Sequence, residues 1–485
     1  MTLADQNASD KEKISVASPN ALPANSAGPG SGKLFESSSD GETEVGEVQA
    51  VTLDIERLKR AEGDATFHRL GWKRLTVVLI VEAIALGSLS LPGAFATLGM
   101  VAGVILTIGI GIFAMYTSYV VGQVKLKYPD VSHYADAGRL MFGKFGYELI
   151  SVMFILQLVL IVGSHVLTGS IMWGAITDNG ACSIAFAVVS AIILFLLAIP
   201  PSFAEVAILG YIDFVSIIAA ILITIIATGI RASDAGGGLA NVNWSAWPKE
   251  NVTLSEGFIA ITNIVFAFSF AMCQFTFMDE MHTPADFPKS IWALGIIEVC
   301  IYTLTGALIY AFVGQDVRSP ALLSAGPLVS KVAFGIALPV IFISGSINTT
   351  VAARYIHGRV FKDSIVRYVN TPMGWMTWLA LDAVITIFAW IIAEAIPFFS
   401  DLLAISSSLF ISGFTFYLPS TMWFMFVVEG KWYERKNWFL ATVNAVSFII
   451  GIAILGLGTY SSIDDIMLRY KDGNVGTPFS CAAAS

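Results

Sequence analysis

Apolar and polar residues occupy separate blocks along this chain. They do not form the three-or-four-residue stripes of a soluble amphipathic helix. From Leu75 onward, apolar runs of about 20 residues succeed one another, each long enough to cross a hydrocarbon core of about 30 Å as a helix. They fall near 75–99, 101–124, 148–174, 182–200, 206–230, 257–278, 290–313, 328–352, 375–395, 398–420 and 438–460, eleven spans in all. Residues 1 to about 65 differ: they are rich in Ser, Gly, Pro, Ala and acids and have no apolar periodicity. Such a segment buries too little surface to offset its ordering, so a disordered tail is expected. The pattern predicts an all-α, polytopic membrane protein.

Two of these runs carry polar interruptions. In the first, Ile84-Ala-Leu-Gly-Ser-Leu-Ser-Leu-Pro-Gly93 places two glycines, two serines and a proline at membrane depth. Pro92 lacks a donor and crowds the carbonyl of Ser88. The result is either a simple proline kink or a broken helix, and freed backbone groups at that depth must line a protein-enclosed cavity. The second interruption lies in span six, around Asn263, Ser269, Gln274 and Thr276, with no Pro or Gly at its centre. It begins five spans after the first. Interrupted helices at matching positions of two halves point to an inverted-repeat transporter, with spans 1–5 and 6–10 as the repeats and span eleven an addition.

Charge orients the chain. Arg69, Lys73 and Arg74 precede span one. Lys125, Lys127, Arg139 and Lys144, then Arg354, Arg359, Lys362 and Arg367, then Lys431, Arg435 and Lys436 all fall on that same side. The rule that basic loops stay inside predicts a cytoplasmic N-terminus, and an odd span count puts the tail 461–485 outside. The loop 231–256 then faces outward, with sequons at Asn243 and Asn251. Cys182 and Cys481 share this outer side; sequence leaves their pairing open.

Of the 485 residues, 56% are hydrophobic and 13% charged, with a net charge of −9. A soluble domain carries about 25% charged residues. No basic face suggests nucleic acid. No P-loop, HExxH, GxSxG or CxxC is present, so an enzyme or self-contained ATP-driven pump is not expected. Coupling chemistry must come from ionisable groups inside spans, which are costly there and therefore functional candidates. Glu82 lies about 10 Å deep at 1.5 Å per residue, just before the first interruption; it could take up a proton or act as a structural clamp. His165 could also titrate near neutrality or simply pack. Asp213, Glu298 and Asp382 are further buried acids, while Glu205, Asp279, Glu280 and Glu394 sit near span ends, where an interfacial position is expected. Ser344, Asn348 and Thr349 in span eight could offer oxygens to an ion or substrate, or serve close helix packing. Phe266, Phe268, Phe270 and Phe275 could wall an apolar pocket, with about half of them expected to face lipid.

Gly87-Ser-Leu-Ser-Leu-Pro92 resembles the first-helix signature of the amino acid/auxin permease family. Phe266-Ala-Phe-Ser269, continuing to Met278-Asp-Glu-Met-His-Thr-Pro-Ala-Asp-Phe-Pro-Lys289, is similar to its sixth helix and following loop. His133-Tyr-Ala-Asp-Ala-Gly138 with Phe142-Gly143 is similar to its first cytoplasmic loop. The resemblance covers about residues 70 to 460 and is greatest to the fungal neutral amino acid permeases of the methyltryptophan-resistance (N system) type. It implies a leucine-transporter-type 5+5 fold with helices 1 and 6 broken. It further implies secondary active, usually proton-coupled, symport of neutral aliphatic and aromatic amino acids across the plasma membrane. No cofactor is expected beyond the coupling proton, with sodium left open. By the resemblance, backbone donors at Gly87, Ser88 and Leu89 would meet the substrate carboxylate, and carbonyls at Phe266, Ala267 and Ser269 its ammonium. A vacuolar transporter of the same family and a non-transporting sensor that signals to regulatory partners through residues 1–65 are the alternatives.

Overall fold

The computed structural model describes residues 71–485 except 202, 235–237, 363, 472–478 and 482–485, and omits the side chains of 81, 82, 85 and 203–209. The expectations for the tail 1–65, for Arg69 and for the Glu82 and Glu205 side chains lie outside the described residues.

Helices occupy all eleven expected stretches: α1 Trp72–Leu98, α2 Met100–Lys127, α3 Tyr134–Thr177, α4 Ser183–Ala198, α5 Phe203–Asp234, α6 Leu254–Asp279, α7 Phe287–Val313, α8 Pro327–Val360, α9 Pro372–Ala395, α10 Phe399–Val427 and α11 Trp438–Lys471. Among the described residues nine are long and apolar enough to cross a membrane, and the described stretches Leu86–Leu98 and Ser183–Ala198 are shorter apolar helices. Continuous helices suit this solvent because each closes its own backbone hydrogen bonds. α3 bends where Phe142 and Gly143 leave helical angles; Gly143 has φ +65°, which glycine tolerates without strain. α10 contains three π-turns, Ser407–Ile411, Gly413–Tyr417 and Trp423–Val427. α11 runs to Lys471, past the expected end at 460, because Arg469 in its last turn is tied to Asp401 and Asp465.

α1 sits centrally, packed against α5, α6, α7 and α8, while α3 packs on α8 and α9. α6 is the interior helix: 89% of its apolar stretch is buried, against 33% in α2, α7 and α9. The outer helices turn residues such as Ile105, Ile112, Leu196, Ile226, Trp292 and Ile387 outward. That surface suits acyl chains. Phe266, Phe268, Phe270 and Phe275 are all buried, which corrects the expectation that half of them face lipid, because an interior helix has no lipid side. Cys182 and Cys481 form a disulfide on the face opposite the basic loops.

Candidate substrate site

The two interruptions meet. A Cβ on Gly87 would lie 2.9 Å from the Cα of Ala267 and 3.0 Å from the Tyr302 hydroxyl. Only glycine allows α1 to approach the α6 backbone this closely. α6 is unwound at that level. Its first segment ends at Ala267; Phe268 (φ −103°, ψ 43°) and Ser269 (φ −86°, ψ 2°) leave the helix, a tight turn covers Phe270–Cys273, and helix resumes at Gln274. The last carbonyls of a helix have no amide one turn further on, which leaves those of Phe266 and Ala267 outside the ladder. Val265 accepts from the Phe268 amide at 3.2 Å and Ser269 from that of Met272 at 3.2 Å.

No local residue forces this break, so its cause is tertiary. Gln274 Nε2 donates to the Ser118 carbonyl at 2.8 Å, and Gln274 Oε1 accepts from the Ser118 hydroxyl, which clamps the second segment onto α2. The Phe268 ring packs edge-on to Tyr302, and a Cβ on Gly111 would strike it at 3.0 Å.

α1 differs from expectation. Its backbone is helical from Trp72 to Leu98 with Pro92 inside. The reason is visible in its hydrogen bonds. Ser88 Oγ donates to the Ile84 carbonyl at 2.7 Å, Ser90 Oγ to Gly87 at 3.0 Å, and the Tyr302 hydroxyl to Ala83 at 2.7 Å. Gly87, Ser88 and Leu89 are all buried. Side chains therefore supplement the ladder where the glycines and Pro92 weaken it.

The remaining candidates form a second group, between α3 and α8. His165 Nδ1 lies 2.7 Å from the Ile341 carbonyl, which can only accept, so Nδ1 carries the proton; Nε2 is 3.4 Å from the Ser344 hydroxyl. Asn348 Nδ2 donates to the Ser344 carbonyl at 3.1 Å and Thr349 Oγ1 to Gly345 at 3.1 Å. His165 and Ser344 are thus brought together, and Asn348 Oδ1 has no partner. One pair escaped sequence reasoning. Gln157 of α3 accepts from Ser406 of α10 at 3.0 Å, and its buried Nε2 has no partner. An amide amid an apolar run was its only signal. Among the described residues no cluster of ligating side chains could hold a metal ion.

The basic face is shut. Glu280 pairs with Arg354, Lys125 with Asp279 at 2.7 Å, and His133 Nδ1 lies 3.1 Å from Thr276 Oγ1. Glu280 and Glu394 are buried, not interfacial as expected: Glu280 because a guanidinium from α8 covers it. Arg354 and Lys125 belong to helices, not loops. Burial pushes the His133 imidazole down to about 4, against the opposing pull of Asp279 and with Arg354, Arg367 and Lys125 acting in the same direction as burial. Arg354 and Arg367 also line an enclosed cavity of about 100 Å³ with Thr276 and His357. The opposite face is open, with cavities of about 690 and 630 Å³.

The profile of the family described as "Transmembrane amino acid transporter protein" matches residues 68–464. The chain belongs to this family. Within the transmembrane amino acid transporter family, the "N amino acid transport system protein" of Neurospora crassa is 67% identical over 442 residues, covering 90% of this chain and 94% of that protein. A "Transmembrane transporter" of Gibberella moniliformis is 29% identical, covering 86% and 88%. Among solved structures, that of MhsT in complex with L-phenylalanine aligns with a TM-score of 0.51 at 11% identity, covering 81% of this chain and 97% of that one. The fold is of the leucine-transporter type.

Proposed function

We propose that the chain is a proton-coupled symporter of neutral aliphatic and aromatic amino acids at the plasma membrane, with its basic face in the cytoplasm. The observation that carries this is the contact of Gly87 with the unwound Ala267–Cys273 stretch, inside walls of buried phenylalanines. Carbonyls freed at a helix C-terminus suit an ammonium, and amides of a loosened helix suit a carboxylate. α1 is prepared for loosening. Its Gly87 and Ser88 amides would ordinarily bond the carbonyls of Ala83 and Ile84. Those carbonyls already accept from Tyr302 and from the Ser88 hydroxyl, so releasing the two amides orphans neither. Pro92 has in any case removed the donor to Ser88.

The coupling proton would be taken up by Glu82, five residues before Gly87, with His165 as the other titratable candidate. Ser344, Asn348 and Thr349 stand as the oxygen donors if sodium is used instead. The name carried by the Neurospora protein supports amino acids as cargo. Labelled phenylalanine or leucine uptake into proteoliposomes tests the reading, under an inward pH gradient without sodium and then the converse. Accumulation under the pH gradient that a protonophore abolishes is the expected result; accumulation only with sodium would discard the proton. For Glu82→Gln, exchange should persist while uphill uptake falls, and wild-type uphill uptake would remove Glu82 from coupling.

A further inference from the structure

The basic face carries a corner that neither the α1–α6 contact nor the ion pairs shutting that face use. α3 begins with a short arm, residues 134–141, that folds back at Phe142 and Gly143 onto its own long arm. Gly138 and Gly146 let the two arms touch: a Cβ on Gly138 would lie 2.7 Å from the Gly146 carbonyl oxygen. The fold-back brings the Arg139 guanidinium over the Tyr147 ring, 4.0 Å from its centroid. The end of α8 adds Arg359, 4.9 Å from the same centroid. Two guanidinium groups on one ring are close enough for a single phosphate to accept from both. Arg359 is tied to Glu148 at 2.5 Å. Arg139 is exposed and makes no ion pair among the described residues. Asp136 feels both Arg139 and Lys362, but one of its carboxylate oxygens already accepts from the His133 amide at 3.1 Å. Lys144, in the turn, and Lys362, just after α8, are exposed as well. Among the described residues of this corner, four cations thus stand with two acids.

An apolar stripe runs away from these charges. Phe145, Leu149, Val152 and Leu156 are spaced by four, three and four, so they share one face of α3. All four are exposed, Phe145 by 73%. They follow the start of the apolar run near 148–174, where α3 enters the hydrocarbon. Tyr147 therefore sits at headgroup level, where tyrosine is enriched. The stripe extends about 16 Å along the helix, roughly half of a 30 Å hydrocarbon core. That is the depth of one leaflet. A cationic corner at headgroup level, continued by an apolar stripe one leaflet deep, matches a ligand with an anionic head and an acyl tail.

We propose that this corner of α3 and α8 binds an anionic phospholipid of the leaflet on the basic face. Its phosphate lies between the Arg139 and Arg359 guanidinium groups, and one acyl chain follows the stripe from Phe145 to Leu156. A free phosphate would fill the corner and leave the stripe empty.

The test is equilibrium binding of labelled dioleoyl phosphatidylserine to the delipidated full chain in detergent micelles. Phosphatidylcholine and the chain-free headgroup glycerophosphoserine serve as competitors. Wild type should bind one equivalent that neither competitor displaces well. Arg139→Gln and Lys362→Gln should each weaken it about fivefold or more, and Phe145→Ser should weaken it as well. All three side chains are exposed, so each variant should fold, and if one does not, the other two carry the reading. Lys436→Gln, exposed in the α10–α11 loop on the same face, should leave binding unchanged. Equal weakening by Lys436→Gln would reduce the effect to the general charge of the face and overturn the site. Displacement by glycerophosphoserine as strong as by the intact lipid would leave a plain anion site and overturn the lipid. No bound phosphatidylserine would overturn the proposal outright. So would a dimer that Phe145→Ser dissociates, which would give the surface to a second copy of the chain.

Discussion

α1 and α6 touch at Gly87 and Ala267, yet their sequences and backbones are mismatched. α1 has every local reason to break, with Gly87, Ser88, Ser90, Pro92 and Gly93, and it is continuous. α6 has none within Phe266–Cys273, and it is unwound. Local weakness sets how readily a helix opens, whereas tertiary contacts decide whether it is open. The Gln274–Ser118 clamp and the Phe268–Tyr302 packing hold α6 apart; the Tyr302 and Ser88 hydroxyls hold α1 together. On this account α6 is a permanent gap and α1 the part that moves.

The largest effect should come from filling the contact. Gly87→Val places methyl groups where a Cβ already meets Ala267 at 2.9 Å; overpacking costs about 1–3 kcal/mol or more, so uptake should fall to background while protein still reaches the membrane. Uptake near the wild-type rate would break the comparison outright. Next is the shut face. Arg354→Leu leaves the Glu280 carboxylate buried without its partner, a loss of about 3–5 kcal/mol where the pair is fully buried. Thermal stability should drop, and Glu280→Gln in the same chain should restore much of it.

Tyr302→Phe removes the substitute donor to the Ala83 carbonyl. A buried acceptor left unsatisfied costs about 1–3 kcal/mol, so substrate affinity should weaken about 5- to 150-fold with little change in exchange rate once saturated. Unchanged affinity would mean the Gly87 amide never leaves α1. Pro92→Ala restores a donor to Ser88 and should raise the melting temperature while slowing turnover several-fold; faster turnover would contradict a moving α1. The smallest effect concerns pH. Folding and closure hold His133 neutral down to about 4, whereas exposed histidine titrates near 6.5. Open or unfolded states therefore bind the proton first as pH falls below about 6.5, and the closed basic face loses stability through that window. Labelling of a cysteine placed at Thr276 should rise between pH 7 and 5 and lose this dependence in His133→Gln.

The helical spans were legible because a membrane demands about 20 apolar residues from every crossing helix, whatever its neighbours. The pairing of the two interrupted stretches was legible in their spacing, five spans apart, rather than in α6's own residues: Gly87 and Ala267 touch. What could not be read were pairings across long separations. Lys125 and Asp279 are 154 residues apart, and their helices meet only in the folded bundle. Glu280 was expected at the interface because its position near a span end resembles one; nothing in the sequence announces that Arg354 lies over it. Asp401 and Arg469 escaped for the same reason, and Arg469 also because the span expectation ended α11 at 460. Ser344 and His165, candidates for separate reasons, proved to face each other, since each sits in a span rich in small residues that lets α3 and α8 approach.

The most direct measurement is a cryo-EM structure of the full chain with L-leucine bound. The account predicts that Gly87 and Ser88 leave helical angles, that their amides come within about 3.2 Å of the carboxylate, and that the Ala83 and Ile84 carbonyls keep Tyr302 and Ser88 Oγ as donors while Phe268–Cys273 is unchanged. Leucine bound with α1 still helical from Trp72 to Leu98, or with the change confined to α6, would contradict it.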